Sequence, residues 1–450
     1  MIEENEQNLK KILQQKLTHY LEKLSLSRQS QNQQEELTCL SQLAAIYEQL
    51  FEFSQALQYY KLLLALSQQI DAIDWQEVAL YNIGNCYLQL CQYQDAIKYF
   101  TQLQKITYKT GNRVLQISAI WGLGTNYQNL GKYPQAIEYF QQQLVISCEI
   151  NQQIYEKSAL GSLANVYQCL GDYQQALDYA QKALLIAQEI EDMQAIGDSL
   201  ANIGGIYLQL ENWQKAIIYC HQSLLIAREI SQQNLVMISL HILGQAHKEI
   251  GDYEKAMEFL RTSLEISAKI GEQRVRSAIL QGLSDVCSQL NLLQQAIEYN
   301  IEALSVTRQT ENKLGEASAL AKIGAIYQKL ERNDRALIYY QQSLQIVQDL
   351  GVKHSQQKLL FKIGLIYYYD SKFCESRDYL QSALVIAQAR KNNYEEAQIS
   401  LMLSTNLQQL NRYQEAIYYG YQSYRLYKSL GDEIQAAQMW QFLHKLGAKF

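Results

Sequence analysis

Lys157–Ile190 reads KSALGSLANVYQCLGDYQQALDYAQKALLIAQEI, and variants of it recur ten times in this chain at a fixed step of 40 residues. Ala56, Ala96, Ala136, Ala176, Ala216, Ala256, Ala296, Ala336 and Ala416 form one column, broken by Ser376. A second column reads Gly84, Gly124, Ala164, Gly204, Gly244, Ser284, Gly324, Gly364 and Ser404. Three residues further on stand Tyr47, Tyr87, Tyr127, Tyr167, Tyr207, His247, Cys287, Tyr327, Tyr367 and Leu407. A period this strict denotes an array of like units, each resting mainly on its neighbours. It replaces the count of about three domains that 450 residues would otherwise imply.

Each copy reads as two helices. In the quoted stretch the first runs from about Lys157 to Leu170, and Gly171 can take the left-handed conformation that ends it. Asp172 is placed to cap the second helix, with Gln175 three residues on. The same turn returns at Gly131-Lys132-Tyr133 and Gly251-Asp252-Tyr253. Between copies the chain turns at Gly111, Asn151, Gly271, Gly351 and Gly431. Leu80, Ile83, Gly84, Tyr87 and Leu90 recur at steps of three and four, which fixes the helical reading. A single Pro in the chain leaves helices uninterrupted. Turns this short make neighbouring helices antiparallel. The small columns mark where the two helices approach, with Tyr87 filling the gap beside Gly84 and Ala96. The fold expected is all-α, a right-handed solenoid of about ten helix-turn-helix repeats.

These columns resemble the tetratricopeptide repeat: Leu then a small residue, Tyr three later, Ala nine after that, then an aromatic and another small residue. Here they are Leu163-Ala164, Tyr167, Ala176, Tyr179-Ala180 and Ala183. The resemblance covers about residues 36–430. The usual repeat of the family has about 34 residues and a Pro near its end. The 40-residue step without that Pro is similar to the long-repeat subclass found in kinesin light chains, polarity adaptors and cyanobacterial proteins. The division expected is an N-terminal capping helix in 1–32, ten tandem repeats in 33–432 and a C-terminal capping helix in 433–450. Leu9, Leu13, Leu17, Tyr20 and Leu24 share one side of the first cap; Trp440, Leu443 and Leu446 anchor the last.

Composition narrows the function. A formal net charge of −6 argues against nucleic acid, whose affinity rests on basic side chains. No run of about 18 apolar residues exists, so membrane insertion is not expected. The acidic start, Met1-Ile2-Glu3-Glu4-Asn5, is unlike a signal peptide, and a cytoplasmic location is the expectation. The 8 Cys show no metal or disulfide spacing and read as small apolar residues. His221, His241 and His247 lie in neighbouring repeats without the spacing of a zinc motif. Gly122-Leu123-Gly124 lies inside a helix and is no phosphate loop, and Asp285 stands as an isolated carboxylate. No catalytic residue, cofactor or metal is expected, and the chain reads as a non-enzyme.

The resemblance implies that first helices line a concave groove that takes a peptide or partner protein. Its inward positions lie two before the Gly column, one after it, and four or five after it. In the early repeats these hold amides, Asn82, Asn85, Gln89, Asn129, Asn165 and Asn202, with Trp121 nearby. Amides carry both donor and acceptor and suit the backbone of an extended peptide. In the late repeats Lys322, Lys329 and Lys362 take inward positions and Lys358, one turn before Lys362, is read with them, joined by Phe361, Tyr368 and Tyr369, with Arg274 and Arg276 just before them. That cluster points to an acidic segment of the partner. The family's chaperone clamp for a C-terminal carboxylate is matched by Lys358 and Lys362 but not by Gln281, Asp285 and Lys322. The leading expectation is an interaction scaffold. The alternatives are an assembly or maturation factor for a larger complex, photosynthetic complexes among the candidates, and a peptide-sensing regulator.

Overall fold

The computed structural model describes residues 2–447; side chains before residue 11, and that of Arg274, lie outside the described residues, as does the reading made above for Leu9. The chain divides into two compact units, with the division falling between Gln232 and Gln233. The first holds α1 (Ile2–Gln29), α2 (Gln33–Gln49), α3 (Phe53–Gln69), α4 (Ile73–Gln89), α5 (Tyr93–Thr110), α6 (Arg113–Asn129), α7 (Tyr133–Glu149), α8 (Gln153–Leu170), α9 (Tyr173–Glu189), α10 (Met193–Gln209) and α11 (Trp213–Glu229). The second holds α12 (Gln233–Glu249), α13 (Tyr253–Ile270), α14 (Gln273–Gln289), α15 (Leu293–Gln309), α16 (Lys313–Lys329), α17 (Asn333–Asp349), α18 (Lys353–Tyr369), α19 (Phe373–Ala389), α20 (Asn393–Gln409), α21 (Tyr413–Ser429) and α22 (Glu433–Lys445). Among the described residues there is no strand. The architecture is an all-α tetratricopeptide-type solenoid.

The backbone step is half the sequence step. Helices of 17 residues, as α4 and α6, alternate with three-residue turns, so the chain reverses every 20 residues. Each turn holds one residue in the left-handed region. Gly111, Gly171, Gly271 and Gly351 do so, but so do Phe51, Cys91, Asn151 and Glu311. Only part of this turn chemistry is visible as glycine. Asp172 caps α9 by accepting from the Gln175 N–H at 3.2 Å, and Asn112, Asp192, Asn212 and Asn312 do the same for their helices.

The Ala column is fully buried throughout, and Ser376 joins it by donating to the Gly364 carbonyl at 2.8 Å. The Gly column has a partner that the sequence reading missed, 16 residues on in the second helix. A Cβ built on Gly84 would lie 2.8 Å from the Phe100 ring, and one on Gly122 would lie 2.5 Å from its other side. Phe100 is thus clamped between two glycines of successive repeats, which accounts for Gly122. Where the column holds Ser284, its partner is Asn300, and the two side chains hydrogen-bond. The Tyr column does more than fill a gap. Each Tyr stacks on an aromatic 12 residues later, as Tyr87 on Tyr99 and Tyr327 on Tyr339, with centroids 5.5 Å apart. In the second unit His247 takes that place against Phe259.

At the ends, α1 buries Leu13 and Leu24 and rests Leu17 and Tyr20 on the core. α22 buries Ala436, Met439 and Leu443, with Trp440 5.2 Å from Tyr424. The cysteines depart from the small-apolar reading. All are free, but Cys91, Cys148, Cys169 and Cys374 are exposed and only Cys39, Cys86, Cys220 and Cys287 are buried. No helix among the described residues is long and apolar enough to cross a membrane.

Candidate functional site

First helices of successive pairs touch one another within each unit: α4 with α6, α6 with α8, α12 with α14, α14 with α16 and α18 with α20. Their exposed sides form one face in each unit, and the candidate residues lie on it. The repeat geometry brings residue n of one first helix beside residue n+37 of the next. Asn165 and Asn202 meet in this way at 3.2 Å, Gln281 and Ser318 at 2.8 Å, and Asp285 and Lys322 at 2.7 Å.

In the first unit the candidate positions hold amides, and Asp198, at the repeat position that Lys358 takes in the second unit, adds an exposed carboxylate. Asn165 accepts from Asn202, and Asn82 donates back to the Val78 carbonyl of its own helix at 3.0 Å. Asn85, Gln89 and Asn129 make no side-chain hydrogen bond with any described residue, and Gln89 and Asn129 are exposed. Trp121 is half-buried and packs on the cluster around Phe140 and Leu163, so its ring is shared with the core.

In the second unit the face is charged, and its lysines are not equivalent. Lys322 places its ammonium 2.7 Å from both oxygens of Asp285, which Lys248 also approaches at 3.9 Å. Asp285 is therefore not isolated, contrary to the sequence reading: its partner sits 37 residues away. The 37-residue counterparts of Lys358 and Lys362 are Ala321 and Ala325. Alanine offers no charge. Counted forward by the same offset, Lys358 meets Glu395, which Arg390 already holds at 2.8 Å, and Lys362 meets Ile399, so neither lysine has an ion pair with a described carboxylate. Between α16 and α18 a cleft of about 410 Å³ opens, walled by Ala321, Ala325, Lys322, Lys358 and Lys362 and floored by Ser343 and Val347 of α17. Lys362 is half-buried there, its Nζ 5.5 Å from the centre of the buried Tyr340 ring. Burial, and then the Lys358 charge, hold its ammonium below the ordinary lysine value. Lys329 is exposed and borders a second cleft of about 400 Å³ with Lys248, Asp285 and Lys322. Tyr368 leans edge-on against Phe373 and against Tyr369, which is 70% exposed, and neither tyrosine lines a cleft with the lysines. Arg276 is taken up by Glu302 at 2.6 Å.

The histidines are dispersed. Among the described residues no group of three or more His, Cys, Asp or Glu is placed to hold a metal ion. His241 is half-buried beside Gln245, and desolvation, with Lys248, lowers it to about 4, so it is neutral at physiological pH.

A family model described as tetratricopeptide repeat matches residues 35–110, 75–144, 195–269 and 276–349, and a second of the same description matches 158–191. Together they cover more than half of the chain, which belongs to the tetratricopeptide repeat family. No curated protein sequence matches it. Solved structures share the fold. A signal transduction ATPase with numerous domains and a tetratricopeptide repeat sensor, from Pyrococcus horikoshii, is 14% identical with a TM-score of 0.60, over 80% of this chain and 53% of that one. A Rap protein complexed with Competence and Sporulation Factor is 15% identical with a TM-score of 0.53, over 79% and 99%. The apo quorum sensor NprR from B. thuringiensis is 15% identical with a TM-score of 0.52, over 74% and 96%. At these identities the likeness concerns the fold.

Proposed function

We propose that this chain is a non-enzymatic, cytoplasmic interaction scaffold that holds an extended segment of a partner protein on its first-helix faces, with α1 and α22 capping the array. The observation that carries the reading is the contrast between Lys322, neutralised by Asp285, and Lys358 and Lys362, which face alanines across a cleft. A side-chain or C-terminal carboxylate entering that cleft would stand to Lys362 as Asp285 stands to Lys322. It would form charge-assisted hydrogen bonds in a partly desolvated place. The amides of the first unit suit the partner's backbone, for which Asn85 and Asn129 have free donors and acceptors. Net charge of −6 sets this basic seat apart from the rest of the surface.

The test is capture of an Asp/Glu-rich nonapeptide by the full chain and by a Lys358→Ala, Lys362→Ala variant. Capture should drop at least tenfold with no fall in melting temperature; unchanged capture rejects the seat. A second reading, a peptide-sensing regulator, draws on the fold shared with the quorum sensor NprR and with a Rap protein complexed with Competence and Sporulation Factor. It calls for compaction on peptide binding, seen by small-angle scattering. The assembly-factor reading uses the same face transiently and calls for unassembled client to accumulate when the gene is deleted.

A further inference from the structure

The second-helix face of the first unit carries an apolar stripe that the fold does not require. Val145 on α7, Leu185 on α9 and Leu225 on α11 occupy one position of three successive repeats and are 57%, 58% and 67% exposed. The same position is exposed in the neighbouring repeats, where it holds Lys105, Glu265, Ser305 and Gln345. Packing therefore does not select apolar residues there. Val385 is an isolated later instance. Exposed apolar side chains scattered singly are ordinary, but three in register make a patch.

Four residues after each of the three stands a glutamate: Glu149, Glu189 and Glu229, all exposed. At that spacing each glutamate lies one turn along on the same side of its helix, so an acidic row runs beside the apolar one. The row is barely neutralised. Glu149 lies 3.8 Å from Arg113, Glu189 accepts from the Gln153 amide, and Glu189 and Glu229 have no basic partner among the described residues. The paired rows stop with the third repeat on one side, where Glu265 is followed by Lys269. On the other they stop at Lys105 and Lys109, which border a cleft of about 820 Å³ that Val145, Tyr108 and Ile120 help to line.

We infer that this stripe is a second docking surface, and that its occupant is a basic amphipathic helix of another protein. The charge of the acidic row selects Lys and Arg along one edge of the occupant, and the three aliphatic side chains select an apolar face beside it. A helix fits a face that offers few groups for pairing an extended backbone, since it satisfies its own. Three helices of about 10–12 Å width span roughly 30 Å, the length of about 20 helical residues.

The probe is a fluorescein-labelled, 20-residue helix-forming peptide with leucines on one face and lysines along one edge of it. It is titrated into the full chain by anisotropy, beside a twin with Glu in place of Lys. Saturable binding of the Lys peptide is expected, with the Glu twin at least tenfold weaker. Val145→Gln, Leu185→Gln, Leu225→Gln together should raise Kd at least tenfold. Glu149→Gln, Glu189→Gln, Glu229→Gln together should raise it at least fivefold and flatten its salt dependence. A matched control at three exposed glutamates away from the stripe, Glu298→Gln, Glu331→Gln, Glu375→Gln, should leave Kd unchanged. Should a triple variant unfold, Leu185→Gln alone, with an unchanged melting curve, should still raise Kd twofold or more. Equal binding of the two peptides, equal binding by the stripe variants, or an equal loss in the matched control overturns the proposal. Sedimentation provides a further arm. Self-association of the wild-type chain that the apolar variant abolishes assigns the stripe to a second copy of the chain and likewise overturns it.

Discussion

Asn165 and Asn202 in the first unit stand in the same relation, 37 residues apart, as Asp285 and Lys322 in the second. One pair is a neutral hydrogen bond worth about 1 kcal/mol, the other a charge-assisted contact worth about 1.5–3 kcal/mol. The repeat supplies the geometry in both places and the side chains alone set the chemistry. One step further along the second unit the lysine remains, as Lys362, and the carboxylate is gone, replaced by Ala325. In the proposed function, a charge that the array no longer satisfies internally is left for a partner to satisfy. The first unit leaves amides instead, whose hydrogen bonds are weaker and indifferent to salt.

Restoring the missing carboxylate should have the largest effect on this contrast. Ala325→Asp gives Lys362 the partner that Lys322 already has. We expect it to raise the Kd of an acidic nonapeptide about 10–100-fold, the equivalent of about 1.5–3 kcal/mol, measured by calorimetry. The mirror experiment, Asp285→Ala, frees Lys322 and should tighten binding of a peptide with two spaced acidic residues about five- to tenfold. No tightening would mean that Lys322 does not reach the bound segment.

Lys362 gives the contrast a pH dependence. Its folded-state pKa is lowered, by burial first and then by Lys358, below the ordinary 10.5. Between those two values the unfolded chain binds more protons than the folded one, so stability rises with pH through that window and the charge costs stability below it. Affinity for the acidic peptide runs the other way. It is full below the folded value of Lys362 and falls as pH rises through it, since the neutral amine no longer attracts a carboxylate. In Lys362→Met the alkaline gain in stability should be lost, as read from melting curves between pH 8 and 11. Smallest of all, Asn85→Ala with Asn129→Ala should weaken capture by only about three- to tenfold, by the same amount at 50 and 300 mM salt. A strong salt dependence of that loss would dissolve the distinction between the two faces.

The helices, their antiparallel order and the buried Ala column were legible because a 40-residue period makes the same packing demand at each step and shows it as a column. The partner of the Gly column was not, because Phe100, Phe140, Cys220, Leu260 and Tyr340 differ in kind although each fills the space a glycine leaves. Most of the left-handed turns were hidden for a similar reason: Phe51 and Glu311 adopt the conformation without being glycine. At the candidate site the sequence placed Lys322, Lys358 and Lys362 together, and they line one cleft. It did not separate the paired lysine from the unpaired ones. That distinction depends on the 37-residue offset between neighbouring first helices, a product of how the helices are staggered that no single column displays.

The most direct test is a pair of calorimetric titrations of the full chain, one with an Asp/Glu-rich nonapeptide and one with its Asn/Gln counterpart. If the unpaired lysines form an acid-selective seat, the acidic peptide binds at least tenfold more tightly at 50 mM salt. That preference disappears in the Ala325→Asp variant while the neutral peptide is unaffected. Equal affinities for the two peptides, or a preference that survives Ala325→Asp, would contradict it.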